Sequence, residues 1–464
     1  MRTFRVVVLA CSAVALLGSV TSSAAAETPP APSGDCGLDI GRDAQTQPKT
    51  DAAHQPVGTT RLISVDQSGG VGNLDSWSGE LSTDGSLVAF TSKATDLVSG
   101  DTNDEPDIFV RDRGAKSTTK ISEAPGGGQA NDGSYGPAVT PGGRFVAFYS
   151  HATNLVAGDT NGREDVFLFD RSTRVTTLVS HSITGGSANG LSFSPSISAN
   201  GRYVTYFSTA GDIVPRDGGA FAIFIWDRLT DETILISRGL DGKPATKNSY
   251  YPDISSDGRY VTFSSYAKNL VQGLQNRRRH VYLYDRIADA IVRVDQTPDG
   301  APGNKRAASA PTISLDGTHV AFGSRARNLS ARDSNYYSDV FVYDVESGTI
   351  ELITHAYDGG PADGGVYYQY HPTISADGRY VAFSSDASNL VSDDSTTWAD
   401  AFVYDRTTDM ATLISRTPDG QPNRGTFGGI IGDDGQFVTY YTYADNIFDG
   451  DDNACMDVFI YRLK

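Results

Sequence analysis

The sequence predicts an all-β protein, a seven-bladed β-propeller of four-stranded antiparallel blades. Three observations lead to this prediction. A turn pair that ends in glycine recurs seven times at intervals of 57 to 61 residues. Each repeat holds four short runs rich in Val, Ile, Phe, Tyr and Thr, without the 3.6-residue apolar period of a long helix. The two ends of the array carry strands that complete each other. Repeats of this kind are typical of propellers. The turn glycines are Gly85, Gly143, Gly201, Gly258, Gly317, Gly378 and Gly435.

The chain begins with the features of a secretory signal peptide. Arg2 and Arg5 precede an apolar run over residues 6–20, and three alanines stand ahead of Glu27. This order predicts export with cleavage after Ala26, so residues 1–26 are assigned to a signal peptide. No other stretch has the ~20 apolar residues that a transmembrane helix needs. We therefore expect a secreted protein, or one on the exterior of the cell envelope, with no transmembrane segment.

Charge limits the classes of partner. The net charge is −18 over the whole sequence. The first 26 residues carry two arginines and no acidic residue, so their removal leaves −20. Such a balance opposes binding to nucleic acid, which depends on basic patches. Residues 27–58, rich in Pro, Ala, Thr and Gln, are predicted to be a flexible leader, and residues 59–464 form the propeller.

Two cysteines remain in the mature chain, Cys36 in the leader and Cys455 in the last repeat. An oxidising compartment favours a disulfide between an even pair. Such a bond would tie the N-terminal arm to the C-terminal repeat. The alternative, that both cysteines are unpaired, stays open.

The sixth repeat illustrates how each blade is expected to form. Its strands are predicted at residues 371–375, 379–385, 400–405 and 411–415. Short turns join the first strand to the second and the third to the fourth, and the Asp-Gly pair suits the first of these turns. The two other connections are long and emerge on the same side of an antiparallel meander. One face of the disc is therefore expected to be rich in loops, where recognition usually resides.

The ends of the array predict how the ring closes. The chain enters with residues 59–64, a fourth-strand sequence with no blade before it, and leaves after residues 457–461, a third strand with none behind it. We expect the entering strand to complete the seventh blade. Closure of this kind hides open sheet edges, and a monomer is the expected state.

The repeat S-x-D-G-R-Y-V-x-F-S-S followed by D-V-F-V-Y-D-R resembles the TolB-like propeller repeats of exported bacterial proteins. The resemblance covers nearly all of residues 59–464 and recurs in all seven units. TolB itself has a six-bladed propeller behind an α/β domain, whereas this sequence has seven units and no such domain. The resemblance implies the propeller fold and a role as a scaffold that contacts other proteins.

An aromatic residue stands two positions before the Pro or Gly that opens the first strand in six of the seven units, and Ser309 takes this place in the fifth. These side chains could ring the mouth of the central channel and stack on sugars or on a partner's side chain. Alternatively, each fills the gap between neighbouring blades. His371 adjoins this position and is a further candidate ligand-binding residue. The aromatic residues are Trp77, Tyr135, Phe193, Tyr250, Tyr370 and Phe427.

The long loop before the third strand carries the pattern D-x-N-x-x-x-D in four units. Oxygen ligands at alternating positions could bind Ca²⁺, although the spacing is shorter than in the usual calcium loop. Asp and Asn side chains that cap their own backbone would explain the pattern without a metal. The candidate metal ligands are Asp101, Asn103, Asp107, Asp159, Asn161, Asp165, Asp333, Asn335, Asp339, Asp451, Asn453 and Asp457.

The fourth unit replaces this acidic loop with Arg277, Arg278 and Arg279, and further basic residues fall in neighbouring loops of the same face. In an acidic chain this sector would suit an acidic glycan or an acidic protein surface. A solvated loop is the alternative.

Signals for catalysis are few. The sequence has no G-x-S-x-G motif, and its histidines show no metal-ligand spacing. Seven-bladed pectate-type lyases of related fold gather histidines around a metal, but one channel-side histidine, His371, does not rebuild such a site. We therefore predict a binding or scaffold propeller that recognises a protein or a glycan through its loop-rich face. The alternative is a polysaccharide lyase or glycoside hydrolase that acts at the channel mouth.

Overall fold

The computed structural model describes residues 58–215, 220–307, 309–367, 371–417, 420–451 and 453–464. All regular secondary structure in these residues is β-strand, arranged as seven four-stranded sheets and one two-stranded hairpin. Within the same ranges, no helix of the length and apolarity needed to span a bilayer is present. The predicted signal peptide and the predicted leader up to residue 57, including Cys36, lie outside the described residues.

The first three blades follow one another along the chain. Blade 1 comprises β2 (Ser76–Leu81), β3 (Leu87–Ser92), β4 (Asp107–Asp112) and β5 (Ser117–Lys120), and the hairpin β6 (Glu123–Ala124) with β7 (Gly128–Gln129) follows it. Blade 2 comprises β8 (Ser134–Val139), β9 (Phe145–Ser150), β10 (Asp165–Asp170) and β11 (Val175–Leu178). Blade 3 comprises β12 (Ser192–Ile197), β13 (Tyr203–Ser208), β14 (Ala222–Asp227) and β15 (Glu232–Leu235).

The next three blades repeat this order. Blade 4 comprises β16 (Ser249–Ile254), β17 (Tyr260–Ser265), β18 (His280–Asp285) and β19 (Ala290–Arg293). Blade 5 comprises β20 (Thr312–Ile313), β21 (His319–Ser324), β22 (Asp339–Asp344) and β23 (Ile350–Leu352). Blade 6 comprises β24 (Thr373–Ile374), β25 (Tyr380–Ser385), β26 (Asp400–Asp405) and β27 (Met410–Leu413).

Blade 7 closes the ring with strands from both ends of the propeller. It comprises β28 (Thr426–Ile431), β29 (Phe437–Thr442), β30 (Asp457–Arg462) and β1 (Thr60–Leu62). The entering strand β1 pairs antiparallel with β30, with Leu62 opposite Phe459. Ile63 extends the contact, because its N–H donates to the carbonyl of Val458 at 2.8 Å. The predicted closure is confirmed.

Each blade has a pair of stacked aromatic rings in its core, one on the second strand and one on the third. The ring centroids lie 5.6 to 5.8 Å apart and the planes differ by 20° to 28°. Offset stacking of this kind stabilises a buried aromatic pair beyond the area that it buries. The pairs are Phe90 with Phe109, Phe148 with Phe167, Tyr206 with Phe224, Phe263 with Tyr282, Phe322 with Phe341, Phe383 with Phe402, and Tyr440 with Phe459.

The tight turn between the first and second strands fixes the distance between blades. Its glycine has a φ between +62° and +75° in every blade. A Cβ on Gly143 would lie 2.2 Å from Leu87 of the preceding blade, and one on Gly201 would lie 2.2 Å from Phe145. Only glycine fits this conformation and this close approach.

The strands of blade 6 show which boundaries the sequence predicts well. The third strand begins and ends at the predicted residues, and the second and fourth shift by one or two residues. The first strand is shorter than predicted, with ladder pairing only at residues 373–374. Residues 368–370, directly before it, lie outside the described residues.

Candidate functional site

A central cavity of about 290 Å³ runs between the first strands and is lined by residues of all seven blades. The residue directly before the Pro or Gly that opens the first strand lines this cavity in every blade. These residues are Ser78, Gly136, Ser194, Tyr251, Ala310, His371 and Gly428.

Local backbone geometry turns these residues toward the cavity. In five blades the residue has a positive φ, and strand pairing shifts register at the same place. Three of the five are not glycine: Ser78 at 56°, Ser194 at 46° and Tyr251 at 55°. A left-handed conformation is unfavourable for a side chain as large as tyrosine and often marks a functional position.

The aromatic residues that the sequence places around the channel mouth each precede a cavity-lining residue by one position. Their side chains lie mainly between the blades. Trp77, Phe193 and Tyr250 are buried, whereas Tyr135 and Phe427 are half-buried. Phe193 contacts Tyr149 of blade 2 with ring centroids 5.5 Å apart, and Tyr250 contacts Phe207 of blade 3 at 5.7 Å. Packing between blades, the alternative raised above, is the interaction that these contacts show. Trp77 and Phe193 also form part of the cavity wall. Tyr370 lies outside the described residues.

Two carboxyl groups face the cavity one residue after the Pro or Gly. Burial, with Asp253 and Asp433 nearby, raises the pKa of Glu80 to about 8. Burial also raises the pKa of Asp253, which accepts hydrogen bonds from Ser196 Oγ at 2.7 Å and from the Ile313 N–H at 2.8 Å. Asp253 therefore links blade 4 to the blades on both sides.

His371 also lines the cavity, where its ring lies 5.4 Å from the ring of Tyr251. Its Nδ1 accepts a hydrogen bond from the Ala310 N–H at 3.3 Å. Burial and the charge of Arg279 lower the pKa of His371 to about 4, so the ring is neutral at physiological pH. Among the described residues, no hydrogen bond joins this ring to a carboxylate.

Part of the predicted basic sector lines a second pocket, of about 640 Å³, on the loop-rich face. Arg277 lines this pocket, and Arg278 is exposed beside it. Arg279 is half-buried, and its Nε donates to the carbonyl of Ala307 at 3.0 Å. Burial lowers the pKa of Arg279. The pocket is lined by Thr246, Lys247, Asn248, Tyr250, Tyr266, Lys268 and Arg277.

Exposed aromatic residues continue this face over blades 5 and 6. Tyr336 and Tyr337 lie in the loop before β22, Tyr357 follows β23, and Trp398 precedes β26; 49% to 82% of each residue is exposed. Arg327 lies over the ring of Tyr336, with its guanidinium carbon 4.1 Å from the centroid. Large exposed rings on one face often mark an interaction surface.

The asparagines of the D-x-N-x-x-x-D loops have a structural role. In each loop the Asn Oδ1 accepts the N–H two residues later, at 3.4 Å for Asn103, 2.7 Å for Asn161 and 2.8 Å for both Asn335 and Asn453. Their Nδ2 groups donate to a carbonyl of the following connection, namely Ala130, Ala188, Ala362 or Gly72. This capping is the metal-free interpretation of the pattern, and it explains the asparagines.

The aspartates of the same loops are buried. The last Asp accepts a hydrogen bond from a hydroxyl at the end of the fourth strand, as in Ser180 to Asp165 at 2.5 Å and Thr354 to Asp339 at 2.7 Å. Burial raises the pKa of Asp165 to about 7 and that of Asp339 to about 6. In blade 4, His280 stands in place of the last Asp of the loop and Asp295 stands in place of the hydroxyl residue. His280 Nδ1 lies 2.8 Å from Asp295 Oδ2.

Cys455 is buried and disulfide-bonded. The other two cysteines of the chain, Cys11 and Cys36, lie outside the described residues. The pairing of Cys36 with Cys455 stays a prediction.

Neither a scan against protein-family models nor a search of curated proteins finds a match. Among solved structures, the chain resembles oligogalacturonate lyase from Vibrio parahaemolyticus, with 10% identity, 88% of this chain and 97% of that chain covered, and a TM-score of 0.51. It also resembles TolB from Acinetobacter baumannii, with 16% identity, 66% of this chain covered and a TM-score of 0.38. The chain spans 58% of the length of that TolB.

A further similar structure is the acylaminoacyl peptidase of Pyrococcus horikoshii, with 13% identity, 79% of this chain and 49% of that chain covered, and a TM-score of 0.45. Likeness at such low identity establishes the β-propeller fold alone.

Sequence analysis missed Glu80, Asp253 and Tyr251. The signal was present, because these are positions at which the seven copies differ: only blades 1 and 4 have an acid after the Pro or Gly, and only blade 4 has a tyrosine before it. That these side chains face the cavity depends on the register shift in the first strand, which the sequence pattern does not reveal.

Proposed function

We propose that this protein is an exported binding module that recognises an acidic glycan through its loop-rich face. The pocket between Lys247, Lys268 and Arg277 is the proposed anchoring site. The observation that carries the proposal is the meeting of three cationic side chains and two tyrosines in one pocket of a chain whose net charge is −18.

The chemistry of the pocket supports this ligand class. Cationic groups attract carboxylate or sulfate groups, and the half-buried ring of Tyr266 presents a flat apolar surface on which a sugar ring can stack, whereas the ring of Tyr250 is buried. Asn248, whose Nδ2 bonds Tyr250 Oη, and Thr246 add polar groups that can orient hydroxyls. Pockets of this composition combine attraction with orientation.

The aromatic residues of blades 5 and 6 support a binding surface larger than the pocket. Tyr337 and Trp398 lie on the same loop-rich face as Arg277. A glycan chain anchored at blade 4 would pass over them. The proposed ligand is thus a polymer of several sugar units.

The alternative function, cleavage of a polysaccharide at the cavity, rests on His371 and its contact with Tyr251. The two rings are in contact, but a histidine whose pKa is lowered to about 4 is a weak base at neutral pH, which disfavours this alternative. The hydrogen bond of its ring to the Ala310 N–H uses one nitrogen, and a role in catalysis would have to use the other.

Binding of the purified protein to polygalacturonate, hyaluronan and neutral dextran at low and high salt tests the proposal. We expect binding to an acidic glycan that weakens with salt, and at least about a tenfold loss when Lys247, Lys268 and Arg277 are all changed to Ala, since each rim charge contributes up to ~1 kcal/mol.

Arg144→Ala is the matched control, because Arg144 is an exposed arginine at the opposite face that pairs with Asp170 at 2.8 Å. Equal affinity for dextran, or an unchanged affinity of the triple variant, contradicts the proposal. Release of unsaturated or shortened products, lost in His371→Ala, would instead establish the lyase or hydrolase alternative.

A further inference from the structure

Blade 1 contains a buried cation between two buried aspartates. The Lys120 Nζ lies 3.2 Å from Asp101 Oδ1 and 3.2 Å from Asp107 Oδ2, and it also contacts Gln129 Oε1. The side chains of Lys120, Asp101 and Asp107 are 5%, 3% and 0% exposed. The ammonium therefore compensates two carboxylates at a single point, as buried charges require.

Blades 2 and 5 keep the carboxylates and lose the lysine. Strand pairing places Lys120 opposite Phe109, and the equivalent partners are Leu178 opposite Phe167 and Leu352 opposite Phe341. The aspartates remain as Asp159 with Asp165 and as Asp333 with Asp339, and all four are buried. A leucine carries no charge that could replace the ammonium.

Three of the four carboxylates in these blades have oxygens without a partner; the exception is Asp165, which accepts hydrogen bonds from Ser180 Oγ at 2.5 Å and from Asn161 Nδ2 at 2.6 Å. Both oxygens of Asp159, Oδ1 of Asp333 and Oδ2 of Asp339 are buried and make no hydrogen bond within the described part of the chain. Leaving a charged oxygen buried and unpaired is costly. A cation at the place of the ammonium would remove this cost.

In blades 4 and 6, side chains of the protein itself either satisfy the two loop carboxylates or replace them. In blade 6, Thr396 Oγ1 donates to Asp400 Oδ2 at 2.8 Å and Gln421 Nε2 donates to Asp394 Oδ1 at 3.1 Å. In blade 4, Leu274 replaces the first aspartate, and His280 takes the place of the second. The pairs of blades 2 and 5 thus lack the compensation that blades 1, 4 and 6 provide. Blade 7 resembles them in part, because Leu62 lies opposite Phe459 and Asp457 Oδ2 is buried without a hydrogen bond in the described part of the chain.

We propose that blades 2 and 5 each bind a divalent cation, between Asp159 and Asp165 and between Asp333 and Asp339, where Lys120 Nζ lies in blade 1. Hard oxygen donors select Ca²⁺ or a similar ion. No group of three or more His, Cys, Asp or Glu side chains among the described residues could hold a metal, so carbonyl oxygens or water must complete each site. Two carboxylates per ion correspond to the weaker, extracellular class of calcium site.

This proposal narrows the ligand set that the sequence suggests. Asn161 is bonded to the backbone and, through Nδ2 at 2.6 Å, to Asp165 Oδ2, and blade 1 carries its own ammonium. Neither Asn161 nor the Asp101 and Asp107 pair is therefore assigned to an ion. The sites lie at the base of the long loops and would hold those loops in place.

Calcium binding to the full mature chain, stripped with a chelator and dialysed against millimolar Ca²⁺, tests the proposal. We expect Ca²⁺ to raise the melting temperature by several degrees, because it binds the native state. Asp333→Asn and Leu352→Lys should each lower the amount of bound calcium by one equivalent. Leu352→Lys should also keep the blade stable without calcium, as Lys120 does in blade 1.

Lys120→Leu provides the converse measurement, because it should create a third site of this kind and add one equivalent of bound calcium. Asp170→Asn, which removes a carboxylate at the opposite face, is the matched control and should leave the count unchanged. The proposal is overturned if Ca²⁺ leaves the melting temperature unchanged, or if Asp333→Asn, Leu352→Lys and Lys120→Leu all bind as much calcium as the unchanged protein.

Discussion

Glu80 faces the central cavity, and burial raises the pKa of its carboxyl group from 4.5 to about 8. The native protein therefore holds a proton that the unfolded chain releases at lower pH. The stability from this group is fully present below pH 4.5 and is lost as the pH rises through 8. Asp253, on the opposite side of the ring, contributes to the same shift.

Glu80→Gln should remove this loss of stability. We expect the variant to match the unchanged protein near pH 4 and to exceed its free energy of unfolding by ~2 kcal/mol at pH 8, a value reduced for the solvent that reaches the cavity. Urea unfolding at several pH values measures the difference. Glu346→Gln, at an exposed position, is the control. Parallel pH profiles for the Glu80 variant and the unchanged protein would refute the assignment.

Individual functional residues could be predicted only in part. Arg277 was found because it breaks a repeated pattern, and it does line a pocket. Trp77 and Phe193 are predicted because they follow a repeated pattern. The same repeated pattern also arises where aromatic side chains pack between blades. The contact of Lys120 with Asp101 joins residues 19 positions apart, and only the folded blade brings them together.

The turn between the first and second strands is the element that the sequence predicts best, because its chemistry is local. An Asp-Gly, Asn-Gly or Gly-Gly pair favours a tight turn with positive φ. The first strand is predicted less well, since the alternation of apolar residues does not reveal the shift in its register.

Blade 2 allows a sharp test of the turn, because Gly142 and Gly143 are adjacent. Gly143 has a φ of +67° and its Cβ would meet Leu87, whereas a Cβ on Gly142 has nothing within 4 Å. We expect Gly143→Ala to destabilise the protein by about 2–4 kcal/mol through strain and overpacking. Gly142→Ala should be neutral or stabilising by up to ~1 kcal/mol. Thermal unfolding measures both, and equal effects would contradict this account.

Closure of the ring rests on a strand that is not joined to its blade by a short turn. In blade 2 the fourth strand follows the third directly, and the Val179 N–H donates to the Val166 carbonyl at 2.8 Å. The equivalent bond in blade 7, Ile63 N–H to the Val458 carbonyl, is also 2.8 Å long, but it joins opposite ends of the propeller.

Ile63→Pro and Val179→Pro remove the same hydrogen bond in these two settings. We expect Ile63→Pro to lower the melting temperature more, and to promote association through the uncovered edge of β30. Light scattering and thermal unfolding under reducing conditions measure both effects, because Cys455 is disulfide-bonded. If both variants stay monomeric and lose the same number of degrees in melting temperature, ring closure contributes no stability beyond that of the single hydrogen bond removed.

The closed seven-bladed ring itself was predictable from the sequence. The number of repeats, the four runs per repeat and the unmatched strands at the two ends determine it together. The sequence predicts only which face of the propeller is rich in loops. It does not predict the site on that face, because the loops differ in length and their side chains become neighbours only in the folded protein.

The pairing of Thr60 with Tyr461 gives ring closure a consequence for biosynthesis. The strand β1 is made before all the others and finds its partner only when the final residues of the propeller have been added. Contacts so distant along the chain slow the last step of folding. A chain that stops short of β30 would keep unpaired edges, so closure distinguishes a finished molecule from a truncated one.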